Sequence, residues 1–183
     1  MDIRNNNLKS ARGLIEKEPD IVNKFDHYDR LTPLHWACFM ANVEMVELLI
    51  KHKANVNARG GGGNAIGYDI RPLHAIMRCL PTNYSVKLGI ADTIISISKL
   101  LIASGSEVDP KSGHGYTPFM NLVLNKGIVI DEKIVIAQFL TSNNANINAH
   151  HNESILGYAM KLNEWYNETS NKLIEYLKSN GAV

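Results

Sequence analysis

Thr32-Pro33-Leu34-His35-Trp36-Ala37, followed by Val46-Glu47-Leu48-Leu49-Ile50 and then by Ala54-Asn55-Val56-Asn57, is the stretch that decides the fold. Thr32 reads as a helix N-cap, because its hydroxyl can accept from an otherwise unpaired backbone N–H. Pro33 falls on the first helical position, where its missing N–H costs nothing and its fixed φ suits a helix. Leu34, Ala37 and Ala41 recur at the spacing of one helical face, and the two alanines leave room for a neighbouring helix. Val43, Val46, Leu48, Leu49 and Ile50 form the apolar stripe of a second helix, with Glu44, Glu47, Lys51 and Lys53 on its solvated side. The pattern predicts two short antiparallel helices.

The same landmarks return along the chain. Arg71-Pro72-Leu73-His74-Ala75-Ile76 opens a second unit, with Ser98-Lys99-Leu100-Leu101-Ile102 and Gly105-Ser106-Glu107-Val108-Asp109 behind it. Tyr116-Thr117-Pro118-Phe119 opens a third, which runs through Ile134 to Leu140 and closes with Asn144-Ala145-Asn146-Ile147-Asn148, a near copy of the first unit's ending. A fourth starts at Glu153-Ser154-Ile155-Leu156-Gly157-Tyr158-Ala159 and ends in Leu173 to Ala182. At the other end, Asn7 to Ile15 aligns with Asn42 to Ile50 without a gap and is expected to be half a unit. Met1 to Asn6 are too few for its first helix.

These stretches resemble the ankyrin repeat. The resemblance implies an all-α solenoid of about four and a half helix-turn-helix repeats with β-hairpin-like loops, forming one domain over residues 1–183. Residues 1–26 would be the half repeat or cap, 27–59 the first repeat, 60–110 the second, 111–149 the third, and 150–183 the fourth or C-terminal cap. The departures are informative too. Arg71 replaces the capping Thr, so the second repeat lacks a contribution of about 1 kcal/mol and its helix start is expected to fray. Phe119 and Met120 stand where the family has Leu and His, and Leu122 replaces a small residue, which implies local repacking. The capping positions 32, 71, 117 and 154 are 39, 46 and 37 residues apart, against a family period of about 33. Every interval therefore carries an insertion, placed in the loop holding Gly60 to Gly63, around Leu80 to Asp92, near Asn125 to Asp131 and near Asn163 to Ser170.

Composition agrees with one domain. The 183 residues are 45% hydrophobic, and 19 basic against 18 acidic residues leave a net charge of +1. That balance favours neither nucleic acid nor a membrane surface as partner. The N-terminal Met1-Asp2-Ile3-Arg4-Asn5-Asn6-Asn7 has no apolar leader core, no later run reaches the length of a membrane span, and Cys38 and Cys79 make no metal or redox spacing. The expected location is cytoplasmic. An abundance of Asn, Ile and Lys suits an AT-rich genome, as in many bacteria and large DNA viruses.

Candidate chemistry is thin. Gly60 to Gly63 are followed by Asn64-Ala65-Ile66 rather than the Gly-Lys-Ser/Thr of a phosphate loop, and read as an insertion. His150-His151 point apart as adjacent residues and lack a third ligand at metal spacing. The sequons at Asn83, Asn152 and Asn167 are expected to stay unmodified without secretion. No nucleophile, base and orienting group assemble into a recognisable set. The chain is expected to be no enzyme and to use no cofactor, metal or small-molecule substrate. The resemblance implies that His35 and His74 are structural, each imidazole bonding the backbone of a neighbouring loop.

Function is therefore argued from the family's contact positions. In the first repeat these are Tyr28, Asp29 and Leu31 on the hairpin and Phe39 and Met40 at the end of the first helix. The matching residues are Tyr68, Ile70, Arg78 and Cys79, then His114, Tyr116, Leu124 and Asn125, then His151, Glu153 and Lys161. Aromatics, Met and Arg are the types enriched at interface hot spots. Trp165 and Tyr166 read as a cap over the terminal core. The implied function is binding another protein on the concave face and hairpin loops, by a chain that is monomeric when free. An inhibitor or immunity protein occluding one cognate partner is the leading reading, with burial of roughly 1,600 Å² and nanomolar affinity or better. A host-directed effector or viral adaptor is the alternative, and the binding half of a larger enzyme a third.

Overall fold

Proline and asparagine start five of the described helices. The computed structural model describes residues 7–62, 69–79, 89–166 and 171–183. Pro33, Pro72 and Pro118 each occupy the first helical position, opening α2 (Pro33–Phe39), α4 (Pro72–Met77) and α6 (Pro118–Leu124). Asn7 and Asn42 cap α1 (Leu8–Lys17) and α3 (Val43–Lys51) in the same way, accepting from Ser10 N at 3.1 Å and Met45 N at 3.0 Å. The gap-free alignment of these two segments thus corresponds to one repeated local structure. A 3₁₀ turn (Pro19–Asn23) follows α1, and the remaining described helices are α5 (Ala91–Ala103), α7 (Ile130–Ser142), α8 (Ile155–Tyr166) and α9 (Asn171–Ser179).

Packing arranges these helices in two rows. In one row α2 packs on α4, α4 on α6 and α6 on α8; in the other α1 packs on α3, α3 on α5, α5 on α7 and α7 on α9. Within pairs, α2 meets α3, α4 meets α5, α6 meets α7 and α8 meets α9, which is an all-α repeat solenoid. Leu34, Leu73 and Phe119 are fully buried along the first row, while Met45, Leu49, Ile94, Ile97, Leu101, Ile136 and Leu140 face them from the second. The small position of the first row reads Ala37, Ile76, Leu122 and Ala159, all buried, so bulk is concentrated in the two central repeats. Burying one such Leu or Ile side chain contributes roughly 2 to 3 kcal/mol.

Two insertions have a described outcome. Residues 125–129 form the loop between α6 and α7, as expected. Asn163 to Tyr166 do not form a loop: they continue α8, because Leu156, Ala159 and Leu162 carry the apolar spacing onward. Leu80 to Lys87 and Gly63 to Ile66 lie outside the described residues, as do the side chains of Trp165 and Tyr166.

Asparagines link consecutive repeats. The second helices α3, α5, α7 and α9 are each followed by a left-handed residue, at Lys53, Gly105, Asn144 and Gly181, with φ of 66°, 91°, 65° and 87°. The following N–H returns to a helix carbonyl, as in Ala54 to Leu49 and Ser106 to Leu101, both near 3 Å. Asn57 then donates to the Gly105 carbonyl at 2.8 Å and accepts from Glu107 N at 3.0 Å. Asn23 makes the same pair with Lys53 and Asn55, and Asn148 with Gly181 and Val183. Asp109 occupies this position in the second repeat. Its Oδ2 accepts from Asn146 N at 2.6 Å, but Oδ1 is buried with no partner among the described residues. A carboxylate has no hydrogen to give to the carbonyl its neighbours engage, and burial pushes the Asp109 carboxyl above its usual range.

Candidate interaction face

The hairpin bases are held by histidine. His35 Nε2 lies 3.0 Å from the Ile70 carbonyl, while Nδ1 lies 3.3 Å from Thr32 N and 2.8 Å from its hydroxyl. A carbonyl only accepts and a backbone N–H only donates, so the proton sits on Nε2 and Nδ1 is the acceptor. His74 repeats the arrangement one unit on, with Nε2 at 2.9 Å from the Tyr116 carbonyl and Nδ1 accepting from Arg71 N at 3.1 Å. Burial lowers both imidazoles to about 4, so both are neutral at pH 7 and structural, as the resemblance implied. Gly60 allows this close approach, since a Cβ there would meet His35 Cε1 at 2.9 Å and the Arg30 carbonyl at 3.0 Å.

Arg71 has no acceptor and cannot cap a helix as Thr does. Its guanidinium instead reaches sideways, Nη1 donating to the Asn57 carbonyl at 3.2 Å and to Glu107 at 3.3 Å, which joins the first repeat's loop to the second's.

The first hairpin is braced by one carboxylate. Asp26 is buried and accepts from Tyr28 N at 3.0 Å and Asp29 N at 2.7 Å through Oδ1, and from Trp36 Nε1 at 2.7 Å through Oδ2. Its own N–H donates to the Leu31 carbonyl at 2.9 Å. The result is a turn anchored to α2 that carries Tyr28 outward at 83% exposure. Sequence reasoning chose Tyr28 and Asp29 but missed Asp26 and Trp36, whose partnership spans ten residues; an Asp two places before the aromatic was the available signal.

Several expected contact residues are not on the surface. Leu31, Ile70 and Cys79 are buried at 0%, 1% and 2% exposure, and Phe39 at 4%. Leu31 and Ile70 sit at the hairpin bases, where their carbonyls receive Asp26 N and His35, so their side chains turn into the core. Phe39 closes the end of α2 beside Trp36, ring centroids 6.1 Å apart. Asn125 is half-buried and occupied: its Nδ2 donates to the Met77 carbonyl at 3.0 Å and the Cys79 carbonyl at 3.5 Å, and its Oδ1 accepts from Gly127 N at 2.8 Å. Tyr68 lies outside the described residues.

The others are accessible. Met40 is 42% exposed, Arg78 and Leu124 are half-buried, and His114 is exposed. Tyr116, His151 and Tyr158 gather where the third repeat meets the fourth, with Tyr116 and His151 edge to face at 5.1 Å and Tyr116 and Tyr158 at 5.9 Å. Gly115, at φ 79°, leaves room for the His151 ring, whose Nδ1 a Cβ would meet at 2.3 Å. Glu153 pairs with Lys161, and Arg59 with Asp69 through two contacts.

A model of the ankyrin repeat matches residues 29–61, the segment holding Thr32, His35 and the first helix pair. The chain carries an ankyrin repeat, and its stacked helix pairs have the all-α ankyrin-repeat fold. It is 30% identical over 125 residues to a fowlpox virus (strain NVSL) protein described as an ankyrin repeat protein, across 58% of this chain and 17% of that one. It is 27% identical over 124 residues to palmitoyltransferase AKR1 of Kluyveromyces lactis, across 67% of this chain and 14% of that enzyme. The matches thus take in only 14 to 17% of these relatives' length. Ankyrin-repeat domains are generally non-catalytic, and the repeats of this chain indicate a protein–protein interaction module. Among the described residues no helix is long and apolar enough to cross a membrane.

Proposed function

We propose that the chain binds one partner protein across the first-helix row and the hairpin tips, acting as a cytoplasmic inhibitor or immunity-type protein that occludes that partner. The observation that carries this reading is Tyr28, 83% exposed on a hairpin that Asp26 fastens to Trp36. An exposed aromatic on a rigid turn gives a partner contact area without the entropy of ordering a loop. Tyr116, His151 and Met40 extend the same surface, and the net charge of +1 supports a protein rather than a nucleic acid as partner. No cofactor or small-molecule site is proposed, and the chain is proposed to be monomeric when free.

The test is capture from source-organism and candidate-host lysates with wild type beside a Tyr28→Ala/Met40→Ala variant. Phe39 is unsuitable because it is core. A protein retained by wild type and weakened by about 2 kcal/mol or more in the variant, at unchanged melting temperature, is the expected result. Identical capture by both baits would discard the face. Similarity to a fowlpox ankyrin repeat protein supports a second reading, a viral or host-directed adaptor; retention of a host protein rather than one from the source organism selects it. The small share of each relative that is matched also supports a role as the binding part of a larger protein. We propose no transferase chemistry from the palmitoyltransferase similarity, since Cys38 and Cys79 are both buried.

A further inference from the structure

Arg78 differs from Arg59 and Arg71, the arginines nearest it in sequence. Arg59 is paired with Asp69 and Arg71 with Glu107, whereas Arg78 makes no side-chain hydrogen bond or ion pair among the described residues. The sequence holds no carboxylate between Asp69 and Asp92 that could serve it locally. Arg78 is half-buried at the end of α4, and burial pulls its guanidinium below the ordinary arginine value. An arginine beside a helix C-terminus ordinarily answers the open carbonyls there. Here Asn125 from the next repeat already donates to Met77 and Cys79, the residues on either side.

The matching positions of the neighbouring repeats are apolar. Aligning the repeats puts Phe39 of the first and Leu124 of the third at the position of Arg78, on helices α2 and α6 that pack on either side of α4. Met40 stands one residue beyond Phe39 and is 42% exposed. A guanidinium already partly out of water, on a helix end whose flanking carbonyls Asn125 holds, has met part of the cost of desolvation and ordering. Its planar fork matches a carboxylate bidentately. A phosphate polymer would call for several uncommitted cations together, and the neighbouring Arg59 and Arg71 are committed to carboxylates.

We infer that Arg78 is the specificity anchor of this face, receiving an Asp or Glu side chain of the partner protein while Met40 and Leu124 contact the apolar flank of the same segment. The inference rests on the binding face proposed above. The test uses a random-peptide display library selected against wild type, Arg78→Gln, Arg78→Lys and Tyr28→Ala. Wild type is expected to enrich peptides with Asp or Glu at one fixed position. Changing that residue to its amide should weaken binding to wild type by about tenfold or more, and binding to Arg78→Gln hardly at all, with Arg78→Lys between them. Melting curves check that the variants fold. If Arg78→Gln does not, the same comparison of acid and amide peptides on wild type and Arg78→Lys decides. Peptides enriched without an acidic preference, or weakened equally on wild type and Arg78→Gln, overturn the inference and leave the binding face standing. Failure of wild type to enrich any peptide overturns the face and the inference together.

Discussion

Between the first and second helix pairs the repeats are joined by directed hydrogen bonds: His35 to the Ile70 carbonyl, and Asn57 to both Gly105 and Glu107. Between the third and fourth pairs Met120 stands where His would be, and the hairpin is packed by Tyr116, His151 and Tyr158 instead, while Asn148 keeps its paired bonds to Gly181 and Val183. The middle junction mixes the two, with His74 in place but Asp109 making only half of the asparagine link. One scaffold thus uses two kinds of mortar. Hydrogen bonds through a buried imidazole fix distance and angle and leave orphaned polar groups when broken. Ring contacts tolerate small displacements, so the two ends should respond differently to substitution, acid and strain.

The strongest way to break this comparison is to remove the imidazole. His35→Leu should cost about 3 kcal/mol, because it strands the Thr32 N–H in a buried setting and leaves the Ile70 carbonyl with Gly60 N alone as donor, whereas Met120→Leu at the matching position should cost less than about 1.5 kcal/mol. Denaturant midpoints compare them, and equal losses would mean that histidine is no special tie. Acid tests the same groups without mutation. An imidazole held at about 4 in the fold and near 6.5 when unfolded contributes stability that is full above pH 6.5 and lost as pH falls towards 4. By pH 5 each should have given up about 2 kcal/mol, and the slope in His35→Leu should fall by roughly half relative to wild type. A flat stability profile over this range would refute the neutral, buried assignment.

The smallest effect sharpens the middle junction. Asp109→Asn supplies the missing amide donor and removes a buried charge, so it should stabilise the protein by about 1 kcal/mol at pH 7. The sign follows from the raised Asp109 carboxyl: its contribution is complete at low pH and is lost as pH rises through the folded value, opposite to the histidines. The gain should therefore shrink in acid. A destabilised variant would show that Oδ1 does not stand where the amide of Asn57 and Asn148 stands.

The helix starts were legible because capping is local: Pro33, Pro72 and Pro118, and the asparagines at 7 and 42, announce themselves within four residues. The structural role of His35 and His74 was legible through the family pattern, and Tyr28 and Met40 were found on the surface as expected. What was not legible depends on distance along the chain. Phe39 is core because of how it meets Trp36 and the neighbouring helices, which no spacing within α2 reveals. The Asn57 link reaches 48 and 50 residues onward, and Asn125 reaches back 48 to Met77. Sequence showed that Ala54-Asn55-Val56-Asn57 recurs as Ala145-Asn146-Ile147-Asn148, but not what the last Asn touches.

The Gly60–Ile70 neck has a consequence for redesign. Two hydrogen bonds of 2.8 and 2.7 Å close it, and His35 clamps it from the first repeat. With the ends held in this way, lengthening what lies between them adds only the slow logarithmic term of loop closure, about 0.6 kcal/mol per doubling. This neck is thus a natural graft port: foreign recognition loops spliced between Gly61 and Asp69 should leave the scaffold's register unchanged, provided Gly60, Ile70 and His35 are left untouched.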